Sequence, residues 1–523
     1  MNIGKTLHNA RLKFVDMIGY SPLKTDDIAH RVLQGESVAA MPGDFVLLVR
    51  GCTDEGSEFA LAASSAVSAV PCFYYAENEQ FIWGATVFDV VRKAGIRWEW
   101  NVRALNCVAL MDHCLAKDSL HMRVKRMEPA TLYFHCEGLL EVRHTAFPSC
   151  IFAEAPISME EALDRYDEVF TQYCSSAEKV ALSMSAGLDS RALLAGLLAR
   201  GRQPVLGTMG KASTTDLKIA RKIAGEFGLE HRWVELKEED YLKWAFDIIK
   251  LTGGTKTLAN WHTFIYAQKV DFADDHLHFA GANGELFRSY YFDKGILARI
   301  ADRLPAAQAM KILMSYKYSA RRRLSGNWVA TFDSKDSGFK LSDVPAFCVN
   351  SVPLVNSSLL DRLDYFYMFE RVRHFIGNGI ALYNACVTTS SPFLDFRVAE
   401  AGVRLHRAAK QNDSFHRSLI RKNCPGLLDF PVDESGRTLA DRGNLFYWLR
   451  HKPSTGYGIQ DKLLLNSTLR EIFIDSPYLN QFMERKLRKD ALAKGAWQVF
   501  NFLVTMHFTC AEIESLGINE QSR

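Results

Sequence analysis

The chain has 523 residues, more than one hydrophobic core usually holds, so two or more domains are expected. Hydrophobic residues make up 48% and charged ones 24%, and a formal charge of +3 is too small to argue for nucleic acid as a partner. No apolar run approaches the roughly 18 residues a bilayer span requires, and Met1 to Gly19 carries charges where a signal peptide needs an unbroken apolar stretch. A cytoplasmic protein with no membrane partner is the expectation. The 11 cysteines are scattered without a Cys-x-x-Cys pair, which argues against a zinc site and a disulfide framework and leaves them as small buried hydrophobes.

Up to about Ala155 the apolar segments are short and separated by turn residues. Gly43–Arg50, Pro71–Ala76, Phe81–Gly84 and Thr131–Cys136 read as strands, predicting a β-rich first domain over 1–155. From Met159 the pattern changes, with Leu163, Tyr166, Phe170 and Tyr173 at helical spacing. Strands at Val180, Pro204–Gly210, His231–Leu236 and His276 then alternate with helices, which predicts right-handed βαβ units and a parallel sheet in a second domain over 156–523. From about Ile296 onward the pattern is mostly helical, a cap over that sheet.

The first of these strands ends in Ser185-Ala-Gly-Leu-Asp-Ser190, small residues with one carboxylate and two hydroxyls, directly before a helical run through Leu198. A helix N-terminus offers unbonded N–H groups to phosphate. Asp189 would repel bare phosphate, so magnesium bridging carboxylate and phosphate is the expected partner. The plainer reading of Asp189 is a first-turn acid favoured by the helix dipole by about 0.3–1 kcal/mol. A second strand-to-turn transition, Gly281-Ala-Asn-Gly-Glu285, could face the first loop, with Glu285 as a second metal ligand or an ordinary first-turn acid. Asp395, in Pro392-Phe-Leu-Asp395, is either a helix cap or a substrate contact. Arg371, Arg373 and His374 read as a solvated helical face, and Trp261-His262 as structural.

The Ser185–Ser190 loop resembles the Ser-Gly-Gly-x-Asp-Ser pyrophosphate loop of ATP pyrophosphatases, and its context is similar to the asparagine synthetase family, which includes β-lactam and lasso-peptide macrolactam synthetases. Asp216 with Ala220 and Ala224, Gly281–Glu285 with Tyr291, and Pro392–Asp395 match in order. The first domain resembles that family's class II amidotransferase (Ntn-type) domain at Gly43-Asp-Phe45, Pro71–Tyr74 and Arg126–Ala130. The resemblance implies an N-terminal β-rich amidotransferase-like domain followed by a parallel-sheet ATP-pyrophosphatase domain with a helical C-terminal region.

It further implies ATP and Mg2+ as cofactors. Ser185, Ala186, Gly187 and Ser190 would cradle the pyrophosphate, Asp189 and Glu285 would hold the metal, and main-chain atoms of Leu206, Gly207 and Thr208 would lie near adenine. The implied reaction is adenylation of a small-molecule or peptide carboxylate and attack by an amine or ammonia, with biosynthetic partner proteins as a further expectation.

Several positions depart from the family. Asn2 stands where a glutaminase of this class needs cysteine, so glutamine hydrolysis is not expected. Ala282 replaces a Glu or Tyr that manages the amine's proton. The lysine expected after the Pro-Phe-Leu-Asp segment is absent, leaving Arg437 or Lys422 as catalytic candidates in its place. These losses keep two rivals open beside an amide ligase: a macrolactam synthetase and a catalytically degenerate nucleotide-binding protein. A sulfur-transfer enzyme acting on tRNA uses a similar loop but needs a cysteine pair and a basic RNA-binding region, and neither stands out.

Overall fold

Among the described residues, the N-terminal part supplies strands β1 (Arg11–Tyr20), β2 (Asp44–Cys52), β3 (Glu58–Ser64), β4 (Phe73–Tyr75), β5 (Ile82–Gly84), β6 (Lys125–Arg126), β7 (Thr131–Cys136) and β8 (Leu139–His144). The structure is a computed structural model describing residues 10–145, 147–292, 301–318, 339–354, 356–431 and 459–518. The strands form two antiparallel sheets, ordered β1-β2-β3-β7-β8 and β5-β4-β6. Alternation along β2 sends Phe45, Leu47 and Val49 to one face, where Ile28, Val32 and Leu33 of the helix Thr25–Leu33 cover them. Val46 and Leu48 point the other way, against Tyr74 and Trp83 of the small sheet. Burial on both faces is why β2 reads in sequence as a continuous apolar run.

Strand β1 escapes a hydrophobicity reading because it is an edge strand of largely exposed, mixed residues, yet it pairs with β2 from Arg11↔Cys52 to Tyr20↔Asp44. Two helices, Val87–Ala94 and Val102–Met111, also lie in this part, capped by Thr86 and Asn101 side chains that accept N–H bonds from Asp89 and Ala104. Their Val90, Val91, Leu105 and Val108 share one core with Phe500 and Leu503 of the C-terminal helix Trp497–Ser515. The hydrophobic core therefore continues across residue 155.

Five further strands, β9 (Lys179–Ser183), β10 (Val205–Met209), β11 (His231–Val234), β12 (His276–Phe279) and β13 (Thr389–Ser390), form a parallel sheet in the order β11-β10-β9-β12-β13. The chain moves outward from β9 through β10 to β11 and then returns to the other side of β9 as β12. The strand order reverses between β9 and β12, the place at which open α/β sheets bind ligands outside the carboxyl ends of their strands. The remainder is mostly helical, and among the described residues no helix is long and apolar enough to cross a membrane.

One expectation is overturned here. The segment Phe369–Phe375 is not a solvated face: it lies in a π-helix, Tyr367–Ile376, with Glu370, Arg373 and His374 buried. Arg373 Nη2 donates to Met127 O at 2.7 Å, Ala116 N–H donates to Glu370 Oε2 at 2.6 Å, and His374 Nε2 lies 2.9 Å from Ala116 O. These groups clamp the N-terminal loop 116–127 to the helical region. The 3.9 Å approach of His374 to Glu370 is not an ion pair, because burial holds the imidazole far below its ordinary pKa and therefore neutral.

Burial likewise pushes the Glu370 carboxyl up from 4.5 to about 7, against the opposing pull of Arg373 and the Ala116 N–H. A folded-state pKa above the unfolded one means that the native state holds an extra proton between those values. The contribution is full below pH 4.5 and is lost as pH rises through 7. At about 1.4 kcal/mol per unit the loss is on the order of 3 kcal/mol. Urea unfolding at pH 5 and pH 7.5 should show this decline, and Glu370→Gln should flatten it; an unchanged decline in the variant would assign it elsewhere.

Candidate functional site

The site begins where β9 ends. Met184 N–H donates to Gly207 O at 2.8 Å, tying the turn to β10, and the helix Leu188–Ala199 opens with Gly187 at its N-cap. Gly187 has no side chain with which to cap, so no side chain bonds the first-turn N–H groups of Leu188, Asp189 and Ser190 from that position. Ala186, where the family loop carries glycine, does not have positive φ, so alanine fits there without backbone strain.

The predicted cradle is partly closed on itself. Ala186 N–H donates to Asp216 Oδ1 at 2.8 Å, and Gly187 N–H to Ser185 Oγ at 3.1 Å. The hydroxyls of Ser185 and Ser190 lie 3.2 Å apart, and Ser185 N–H donates to Ser190 Oγ at 3.2 Å. The first-turn amides at 188–190 receive no side-chain cap from Gly187, and Asp216 pins the loop from the next βα unit.

Asp189 is approached by an arginine and a histidine. Arg288 Nη2 lies 2.9 Å from Oδ2, and His416 Nε2 lies 2.8 Å from Oδ1, an ion pair when that ring is protonated. Arg288 also lies 3.7 Å from Asp413. Burial disfavours its charge, but the carboxylates of Asp189, Glu285 and Asp413 outweigh that and hold the guanidinium above its ordinary pKa.

Glu285 turns elsewhere: Tyr367 donates its hydroxyl to Oε2 at 2.7 Å, and burial beside that carboxylate keeps the phenol protonated. The position facing Asp189 is instead Gly284, where a Cβ would lie 2.5 Å from Asp189 Oδ1. The expected two-carboxylate magnesium site is therefore not matched by these donors. Magnesium demands several hard oxygens in near-octahedral array. Here the two oxygens of Asp189 face Arg288 and His416, Glu285 is bonded to Tyr367, and among the described residues no group of three or more His, Cys, Asp and Glu is arranged to hold a metal.

Leu206, Gly207 and Thr208 lie within β10, flanked by β9 and β11. Leu206 N–H donates to Glu230 O and Gly207 O accepts from Met184, while the Thr208 hydroxyl donates to Met184 O at 2.9 Å and meets His231 Nε2 at 3.0 Å. Those two main-chain groups are engaged in holding the sheet and turn rather than presented to an adenine.

Lys422 is not brought to the loop: its ammonium is 2.8 Å from both Asp164 and Asp167 on the helix Met159–Ser175. Arg437 and Asn2 lie outside the described residues. Asp395 is a cap, accepting from Arg397 N–H at 3.1 Å, and it also reaches the N-terminal part through Gly43 N–H at 3.3 Å. Ala282 O accepts from Ser391 at 2.7 Å. Arg288, His416 and Tyr367 were absent from the predicted site. Only Arg288 had a signal, a cation three residues after Glu285; the other two reach the site by chain reversal alone.

A parallel sheet with a small-residue turn at its switch point defines an α/β protein of the class that binds its ligands at the carboxyl ends of the strands. The asparagine synthase family model matches residues 166–508, and the chain belongs to that family of ATP-dependent amide-bond-forming ligases. No curated protein matches the chain closely enough to be reported as a relative.

Proposed function

We propose that this protein joins a carboxylate to an amine through an acyl-adenylate, releasing AMP and pyrophosphate. The supporting observation is the meeting of two turns at the β9/β12 switch, with Gly281 and Gly284 close enough to Asp189 that a Cβ on either would lie within 3 Å of it. A turn at that place in the sheet favours a phosphate ligand at the helix N-terminus. A carboxylate oxygen attacks the α-phosphorus and pyrophosphate leaves; the amine then attacks the acyl carbon and AMP leaves, the surplus amine proton passing to solvent or a base.

Nitrogen comes from ammonia or a substrate amine, and the N-terminal sheets act as a degenerate amidotransferase-like (Ntn-type) scaffold in a cytoplasmic enzyme. In a macrolactam or lasso-type reaction the carboxylate and amine would belong to one substrate. With carboxylates labelled in both oxygens with 18O, the label should appear in AMP and pyrophosphate should form in equal amount. ADP and phosphate as products would refute the adenylate. ATP binding without pyrophosphate release for any carboxylate tested would favour a non-catalytic nucleotide-binding protein, a reading supported by the loop's internally bonded amides.

A further inference from the structure

We infer that the guanidinium of Arg288, rather than a divalent cation, is the counter-charge at the phosphate loop, so that this protein takes ATP or pyrophosphate with an affinity independent of magnesium. The inference rests on the reading of the Ser185–Ser190 turn as an ATP site. Arg288 Nη2 is within charge-assisted bonding distance of Asp189 Oδ2 at 2.9 Å, and Asp413 and Glu285 add to the field that keeps it charged. Asp189, the one carboxylate of the loop itself, is therefore already matched by a cation that belongs to the chain.

The second acid expected of a bridging metal site is engaged elsewhere. Gly284 faces Asp189 and contributes no ligand, and Glu285 accepts from Tyr367. A dication placed at Asp189 would stand within bonding reach of a guanidinium that cannot give up its proton, an arrangement of like charges. His416 at 2.8 Å from the other oxygen crowds the same carboxylate.

Arg288 also has capacity to spare. Its Nε–H is buried without a hydrogen-bond acceptor among the described residues, a donor that a ligand oxygen or a water would satisfy. The same side chain lines a cavity of about 350 Å³, together with Ser289, Phe292, Arg407 and Lys410, of a size that small-molecule sites have. A phosphate oxygen reaching this guanidinium from the cavity would meet a donor already fixed in place by Asp189.

Calorimetric titration of ATP and of inorganic pyrophosphate into the full chain, in EDTA and in excess magnesium, tests this without any variant. Expected are dissociation constants agreeing within about threefold, well under the tenfold that 1.4 kcal/mol represents. Arg288→Ala, checked by its melting curve, should weaken binding in EDTA by about tenfold or more, with Arg288→Lys intermediate. Binding seen only with magnesium would overturn the inference while leaving the ATP-site reading intact. No binding under either condition would overturn the ATP-site reading, and the inference with it. Full affinity in Arg288→Ala and EDTA would overturn the role of the arginine.

Discussion

Gly377→Ala should destabilise the protein by about 3 kcal/mol or more, the upper end of what an added methyl group costs in a packed interior. Gly377 opens the helix Gly377–Asn384 directly after the π-helix, where the helical region meets the N-terminal part. A Cβ there would lie 1.7 Å from Ala69 O and 2.6 Å from Ala69 C, backbone atoms with no rotamer to change. Ala69 cannot retreat, because its N–H donates to Asp44 at 2.9 Å and its carbonyl accepts from Arg126 at 2.7 Å. Two residues on, a Cβ at Gly379 would find only Lys256 Nζ at 3.5 Å and a Thr263 methyl carbon at 3.9 Å. Gly379→Ala should therefore stabilise by about 0.5–1 kcal/mol, the ordinary gain from replacing glycine in a helix. Chemical unfolding of the two variants side by side checks the claim, and equal effects would remove it.

Removing the ammonium of Lys410 should be nearly as damaging, for an electrostatic reason. Lys410 Nζ lies 2.7 Å from Asp364 Oδ2 with both side chains 3% exposed, on the wall of the cavity that Arg288 lines. Burial pushes the Asp364 carboxyl above its ordinary range, and the ammonium draws it part of the way back. Lys410→Ala leaves that carboxylate with Ser289 Oγ at 3.5 Å as its other neighbour, a loss of about 3–5 kcal/mol at neutral pH. The variant raises the folded-state pKa of Asp364 further above the unfolded value. Its stability deficit should therefore shrink as pH falls toward the carboxylate range, where a neutral carboxyl needs no cation. Lys410→Met combined with Asp364→Leu should recover most of the loss, since a matched apolar pair replaces a buried ion pair at little cost. A pH-independent deficit, or one under about 1 kcal/mol, would show that the pair is not a buried ion pair in solution.

The strands of the parallel sheet were legible because each is a short apolar run bounded by turn residues, and Lys179–Ser183, Val205–Met209, His231–Val234 and His276–Phe279 lie within a residue or two of their expected positions. The exposed edge strand Arg11–Tyr20 was not legible, because pairing to β2 rather than its own pattern makes it a strand. Arg373 and His374 misled in the opposite direction. Charges at helical spacing usually mark a wet face, and only the N-terminal loop packed against them turns that face inward.

The candidate site divides in the same way. Local order was enough to place a helix N-terminus behind small residues at Ser185–Ser190, since strand, turn and helix follow from neighbours in sequence. What surrounds Asp189 was decided by tertiary structure. Arg288 arrives from the turn after β12 and His416 from the helix Ser414–Asn423, brought together by the sheet order and by the return of the C-terminal helices. Sequence alone determined that a small-residue turn opens a helix after β9. The neighbours of its carboxylate depend on distances between segments far apart in the chain, and those are set by packing rather than by any local pattern.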